Sequence, residues 1–345
     1  MTSEQDALRK LRTLSINDKL DEMRNQAKST AYIAGRMALL GQITVFYAGP
    51  NTGKTLLTLK LVAEAIANGT TGKAVYHINL DDTYEGLIAK GDLGNRYGFE
   101  VISPSTFPNP NVNFAELVGF LITEGVAGEA VFILDTIKKF TDVMDKKASS
   151  AFMTTCRRLT SAGGSVIALA HINKHKGEHD KGIPAGTSDV LDDCDCAYVI
   201  EIISEEKVAG GLKRSVEFQS KKTRGPTVHS SVYSYINYDD GDYNRMFNSV
   251  RLIDGNEADR LRQKKVFDHE RNEDSDLINE ISKVLDTLGG TIQKDIVSHI
   301  SAASVFPRRK IVECLQRWSC SPDEGGLWTL SKGPNNSNEY RLNSQ

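Results

Sequence analysis

From Ile43 to Lys221 short apolar runs alternate with longer stretches in which apolar residues recur every three or four positions. Strands are expected at 43–48 (ITVFYA), 74–80 (AVYHINL), 130–135 (AVFILD), 165–171 (SVIALAH), 196–203 (CAYVIEII) and 214–221 (RSVEFQSK). Several of these runs are apolar almost throughout, as strands covered on both faces must be. Between them TLLTLKLVAEAIANG, YEGLIAKGDL, FAELVGFLIT and SAFMTTCRRLTSAGG carry the helical period. The alternation predicts an α/β fold, a mostly parallel twisted sheet with helices on both faces. The last two strands are separated only by SEEKVAGGLK, too short for a crossover helix, so they form an antiparallel hairpin at the sheet edge. The apolar stripes LTLKLVAEAIA and LVGFLIT are read as core faces and given no further role.

The pattern changes after residue 254. Residues 255–275 are dense in charge and poor in apolar groups, and are expected to be a charged linker or an exposed helix. Beyond it DLINEISKVLDTLGG, TIQKDIVSHISAA and VFPRRKIVECLQRW predict three short helices, and GGLWTLSKGPNNSNEYRLN predicts two strands around a Gly/Asn/Pro turn. Three helices and a β-wing describe a winged helix-turn-helix over 276–345. The expected organisation is thus an N-terminal helical segment (1–30), an α/β domain (31–254), the linker and the winged helix.

Composition narrows the class without deciding it. A chain of 345 residues with 39% hydrophobic and 25% charged residues buries a full core and is neither disordered nor fibrous. The net charge of −3 leaves nucleic-acid binding to a local patch. Five cysteines are odd in number and sparse, and Cys194-Asp195-Cys196 is too tight for a zinc knuckle, so reduced thiols and a cytoplasmic location are expected. The charged start MTSEQDALRKLRTLSINDKL has no apolar stretch of the export type, and no run approaches the roughly 18 apolar residues of a membrane span.

The chemistry begins at Ala48-Gly49-Pro50-Asn51-Thr52-Gly53-Lys54-Thr55, with Leu56 following in the helix. A small-residue loop between an apolar strand and a helix is what a triphosphate cradle needs. Its backbone N–H groups converge on phosphate oxygens, the helix N-terminus adds positive charge, Lys54 reaches the β- and γ-phosphates, and Thr55 is placed to ligand Mg²⁺. Asn51 stands where glycine is frequent, and asparagine tolerates positive φ. The strand AVFILD ends in Asp135, the expected metal-positioning carboxylate opposite Thr55. Hydrolysis also needs a group that orients or deprotonates water, and Asp81 and Asp82 end the second strand at the same sheet edge; either one is the base or a helix cap. His171 ends the fourth strand, placed to touch a γ-phosphate or to be a satisfied edge histidine.

These features, followed by GTSDVLDDCDCAYVI and SKKTRGPT, resemble over roughly residues 30–240 the RecA-like ATPase core of plasmid RepA-type and DnaB-type hexameric helicases. The resemblance implies ATP and Mg²⁺ as cofactors, a hexameric ring and single-stranded DNA as partner. It maps the catalytic acid of the second strand onto Asp81 and the γ-phosphate sensor onto His171. The RepA-type arginine finger would fall in 192–197, where DDCDCA has no arginine. The DnaB-type finger motif is matched instead by Lys222-Thr223-Arg224-Gly225-Pro226, so Lys222 and Arg224 would act on the neighbouring subunit's nucleotide.

For nucleic acid two loops at the carboxyl edge are candidates, 136–149 and 172–188. Lys174, Lys176 and Lys181 of the second are the favoured contacts, and Lys138, Lys139, Lys146 and Lys147 of the first the lesser ones. In the tail Arg308, Arg309 and Lys310 open the third helix, the recognition position of a winged helix, where either DNA or a replication or mobile-element protein would bind. The expectation is a replicative-type DNA helicase or translocase. A recombinase-like filament and a nucleotide-switched loader with slow turnover are the alternatives.

Overall fold

The computed structural model describes residues 3–13, 15–17, 20–21, 24, 31–172, 188–303, 305–321 and 325–343. The described chain divides into two compact units, residues 1–258 and 259–345. In the first, helix α1 (Ser3–Thr13) precedes two short paired strands, β1 (Tyr32–Ala34) and β2 (Ala38–Leu39). The strand β3 (Ile43–Ala48) then leads through the phosphate-loop motif into α2 (Lys54–Ala67). There follow β4 (Ala74–Asn79), α3 (Tyr84–Tyr97), β5 (Glu100–Ile102), α4 (Pro110–Thr123), β6 (Ala130–Asp135), α5 (Lys146–Ser161) and β7 (Ser165–His171). The unit ends with α6 (Ser188–Asp193), β8 (Cys196–Val208), β9 (Gly211–Lys222), β10 (Ser230–Tyr238), α7 (Tyr243–Ser249) and β11 (Arg251–Leu252).

Among the described residues nine strands form one sheet in the order β11-β10-β9-β8-β3-β7-β6-β4-β5. Strands from β8 to β5 run parallel, and β8 to β11 are antiparallel neighbours. The parallel runs are buried from end to end because helices cover both faces. One face packs on α2 and α3 through Leu57, Leu61 and Leu93, the other on α4 and α5 through Phe114, Phe152 and Leu159. This is the expected doubly wound P-loop fold of RecA-like order, with β3 central. The chain leaves β3 toward β4 and leaves β7 toward β8, in opposite directions along the sheet. The carboxyl ends of these adjacent strands therefore border the crevice where ligands bind in such sheets.

The antiparallel annex is larger than the sequence pattern shows. The hairpin extends through Val208 and Gly211, and β10 adds a full strand, pairing Ser230 with Gln219 and Tyr238 with Gly211. β10 alternates serine with inward Val232, Tyr233 and Tyr235 instead of forming an apolar run. The charged stretch expected as a linker or exposed helix is helical, α8 (Gly255–Glu273), with Ala258 buried.

The second unit contains α9 (Ser275–Leu288), β12 (Thr291–Ile292), α10 (Gln293–Ala303), α11 (Arg308–Arg317), β13 (Trp328–Lys332) and β14 (Asn338–Leu342). Its strands form a small antiparallel sheet in the order β12-β14-β13. Leu277, Ile281, Ile296, Ile300, Ile311 and Leu315 pack with Trp318, Trp328 and Tyr340 into a separate core. Both indole N–H groups are satisfied, Trp318 on Asp274 at 3.0 Å and Trp328 on the Leu315 carbonyl at 2.8 Å.

Candidate functional site

The loop after β3 takes a conformation that its residue types permit. Asn51 has φ +59° and Gly53 φ +79°, both left-handed. Gly53 has a second constraint: a Cβ there would lie 2.8 Å from the Tyr235 ring. Gly53 also N-caps α2 without a side chain, so the first-turn amides receive no side-chain acceptor and remain suited to an anion. Within the loop the Thr52 hydroxyl donates to the Gly49 carbonyl.

Lys54 and Thr55, which open α2, both point at Asp135 on the end of β6. The Thr55 hydroxyl donates to Asp135 Oδ2 at 2.7 Å, and Lys54 Nζ lies 3.6 Å from Oδ1. His77 of β4, fully buried, contributes Nε2 at 3.3 Å from Oδ2. Burial alone would raise the Asp135 carboxyl, but the His77 contact, the Lys54 charge and the Thr55 hydrogen bond together hold it well below the usual carboxylate range. Burial also lowers the Lys54 ammonium against the opposing pull of Asp135 and Asp81, and lowers the His77 imidazole despite its Asp135 contact.

The two aspartates after β4 part company. Asp82 is clasped by the buried Lys90 of α3 and accepts from Asn79 Nδ2 at 2.8 Å. Asp81 lies 3.4 Å from Lys138 and 3.2 Å from Lys139. Burial works to raise its carboxyl, but these two lysines outweigh that and lower it. The Asp81 charge bears on both Lys54 and His171; for His171 burial and then the Lys54 charge dominate, and the net direction is downward. Neither aspartate caps α3. Thr83 does so, accepting from the Gly86 amide at 3.3 Å.

The cleft over the loop has a volume of ≈ 490 Å³ and is bordered by residues 49–56 together with Lys90, His171, Arg214, Tyr235, Asn237 and Tyr243. His171 stands beside Ala48 in the sheet register. Its Nε2 and the Tyr243 hydroxyl are buried with no hydrogen-bond partner. Arg214 Nη1 donates to the Asn51 carbonyl at 3.0 Å while its Nε is held by Glu205 at 2.7 Å. The Tyr235 hydroxyl reaches the same carbonyl at 3.4 Å. Sequence reasoning missed His77, Lys90, Arg214, Tyr235 and Tyr243. Tyr235 lies on an unforeseen strand, and the other four reach the site only through the fold.

Lys222 and Arg224 lie elsewhere. Lys222 Nζ donates to the Leu191 carbonyl at 3.1 Å and to that of Asp192, and Arg224 Nη1 donates to Asp195 Oδ1 at 2.7 Å. Asp195 is tied to the start of β3, its amide on the Ile43 carbonyl at 2.8 Å. This is the amino edge of the sheet, about 16 Å from the phosphate loop at roughly 3.3 Å per strand residue. Lys174, Lys176 and Lys181 lie outside the described residues. In the second unit Arg308, on the first turn of α11, borders a groove of ≈ 650 Å³ with Lys294, Lys332, Asn336 and Asn338. Arg309 pairs with Glu313 at 2.7 Å, and Lys310 sits 5.8 Å over the Phe306 ring.

No helix among the described residues is long and apolar enough to cross a membrane. No protein-family model matches the chain, and no curated protein matches it. Among solved structures the chain is similar to the ATPase domain of a DnaB-like helicase, with a TM-score of 0.48 at 12% identity, over 70% of this chain and 99% of that one. At that level the description of the fold rests on strand order and loop position.

Proposed function

We propose that this chain is an ATP hydrolase of the helicase or translocase type, assembling into a hexameric ring that moves on single-stranded DNA. The observation that carries the reading is the convergence of Lys54 and Thr55 on one buried carboxylate, Asp135, under a loop of left-handed residues at the sheet's switch point. The orphaned His171 Nε2 and Tyr243 hydroxyl line the same cleft, so a polar ligand has partners waiting there.

The residues present fit Mg²⁺. Thr55 Oγ1 and an Asp135 oxygen are hard donors 2.7 Å apart, few enough to leave most of an octahedron to water and phosphate. When bound, the ion would neutralise charge on the β- and γ-phosphate oxygens. The loop amides from Gly49 to Leu56 and Lys54 bind the triphosphate. Asp81 accepts a proton from water as its oxygen bonds to the γ-phosphorus; the bond to the β–γ bridging oxygen breaks, leaving ADP and inorganic phosphate. His171 holds the γ-phosphate, and Tyr235 with Arg214 offers the nucleoside end a ring face and a cation. Lys222 and Arg224 face away from this chain's own loop, so they serve the nucleotide of a neighbouring subunit. In the tail, a winged helix presenting Arg308, Arg309 and Lys310 takes DNA or a replication partner.

Steady-state ATP hydrolysis of the parent, Lys54→Ala and Arg224→Ala, with and without single-stranded DNA, tests the reading. Both variants should lose nearly all turnover, and the parent should be stimulated by DNA. Hydrolysis that survives Lys54→Ala defeats the site. The second reading, a slow nucleotide-switched loader, is favoured by one observation: both candidate bases are already ion-paired to lysines. It is supported if turnover is slow and indifferent to DNA.

A further inference from the structure

The amino edge of the sheet holds an arrangement that the phosphate cleft does not use. Asp195 is 2% exposed, and its carboxylate is occupied on every side. Oδ2 accepts the Ile43 amide at 2.9 Å and Arg157 Nη1 at 2.9 Å; Oδ1 accepts Arg157 Nη2 at 3.1 Å and Arg224 Nη1 at 2.7 Å. Arg157 therefore grips the carboxylate with both arms of its fork, and its Nη2 also donates to the Asp193 carbonyl at 2.6 Å. A single guanidinium would neutralise this buried carboxylate. The second leaves a net positive charge held at the edge, and both arginines remain open to solvent, with Arg157 41% and Arg224 64% exposed in their side chains. Arg157 opens onto a cleft of ≈ 490 Å³ that also presents Arg158, Thr154 and Ser161.

We propose that Arg157 is a second trans-acting cation, held beside Arg224 by Asp195, and that both meet the terminal phosphate of the neighbouring subunit's nucleotide. The inference rests on the ring reading above. Two guanidiniums side by side repel unless a carboxylate lies between them, and Asp195 supplies that charge while its bond to the Ile43 amide fixes the pair to the sheet. Arg157 comes from α5, far in sequence from the finger motif, and reaches the segment 192–197, which has no arginine of its own. As the bond from the γ-phosphorus to the β–γ bridging oxygen breaks, negative charge gathers on that oxygen and on the departing phosphoryl group, and a second fixed cation there stabilises it. Asp195 is a positioning residue in this scheme and touches no substrate.

The test uses the full chain and subunit mixing. Arg157→Ala alone should lower ATP turnover about 10- to 100-fold, with binding of a fluorescent ADP analogue unchanged. Arg157→Lys, which keeps charge but loses the fork, should recover part of the turnover. Mixing Arg157→Ala with Lys54→Ala subunits should restore activity, since about one interface in four then joins an intact loop to an intact Arg157. The same mixing with Arg224→Ala in place of Arg157→Ala tests the ring reading by itself. Parental turnover in Arg157→Ala, or no recovery on mixing while the Arg224→Ala mixture does recover, overturns the role of Arg157 and leaves the ring intact. No recovery in either mixture overturns the ring reading and this proposal with it. Should Arg157→Ala fail to fold, Arg157→Lys carries the same mixing test.

Discussion

Replacing Gly53 with alanine sets two separable effects against each other. The backbone at φ +79° is left-handed, and a Cβ there costs about 1–2 kcal/mol. The same Cβ would lie 2.8 Å from Tyr235 ring carbons, and Tyr235 is only 2% exposed, so the ring has little room to retreat. Crowding of that kind adds about 1–3 kcal/mol. Gly53→Ala should therefore destabilise the α/β unit by about 2–5 kcal/mol. In a Tyr235→Ala background only the backbone part should remain, giving a coupling of about 1–3 kcal/mol in the double-mutant cycle. Denaturant-dependent hydrogen exchange of the β3 amides reads this unit's stability directly. A coupling below about 0.5 kcal/mol would refute the argument that Tyr235 is what crowds Gly53.

Three further outcomes follow from the geometry. Burial holds the His77 imidazole below its ordinary value of 6.5, so the unfolded chain takes up a proton there first; the stability this confers is present above about pH 6.5 and lost below it, and His77→Gln should flatten the urea-midpoint profile between about pH 7 and 5. An unchanged slope would exclude His77 as its source. Tyr235→Ala should weaken nucleotide binding about 10- to 100-fold by titration calorimetry through loss of a ring face. Tyr235→Phe should change it little, because the hydroxyl contact to Asn51 is long at 3.4 Å. Ile311→Ala, in the tail core, should cost about 2–5 kcal/mol, followed through the fluorescence of Trp318 and Trp328 in the same cluster.

What could be read ahead of the fold has a physical pattern. β3, β6 and β7 are legible because a strand buried on both faces must be apolar without interruption, and the phosphate loop because its backbone admits few residue types. β10 is not, since SSVYSYINY buries alternate positions and fills them with tyrosine and serine. β5 is only three residues and has too little pattern to detect. Asp135 and His171 announce themselves by ending apolar strands. His77 sits inside such a strand and Arg214 within the hairpin, so their partners are set by sheet order alone. Arg157 is the extreme case: on α5 it looks like an ordinary surface cation, and only the carboxylate of Asp195 distinguishes it.

The choice between Asp81 and Asp82 can be argued to an outcome. Asp82 is engaged by buried Lys90, whose ammonium lies 5.3 Å from the Tyr243 ring centroid, so removing its charge strands a cation in the interior. Asp81 is more exposed and pairs only with flexible lysines, and its charge is felt by Lys54 and His171 at the phosphate end of the cleft. Asp81→Asn should thus lower kcat about 10²- to 10⁴-fold with little change in stability, whereas Asp82→Asn should chiefly lower the unfolding midpoint. The pH profile adds a sign. Lys139 and Lys138 hold the Asp81 carboxyl below its ordinary value against the opposing effect of burial, so the base stays ionised to lower pH than a free carboxylate would. Removing both lysines lets that carboxyl rise, and the acid limb of the kcat profile should move to higher pH. If the limb stays where it is in the double lysine variant, or if Asp81→Asn keeps parental turnover while Asp82→Asn loses it without unfolding, the base is not Asp81.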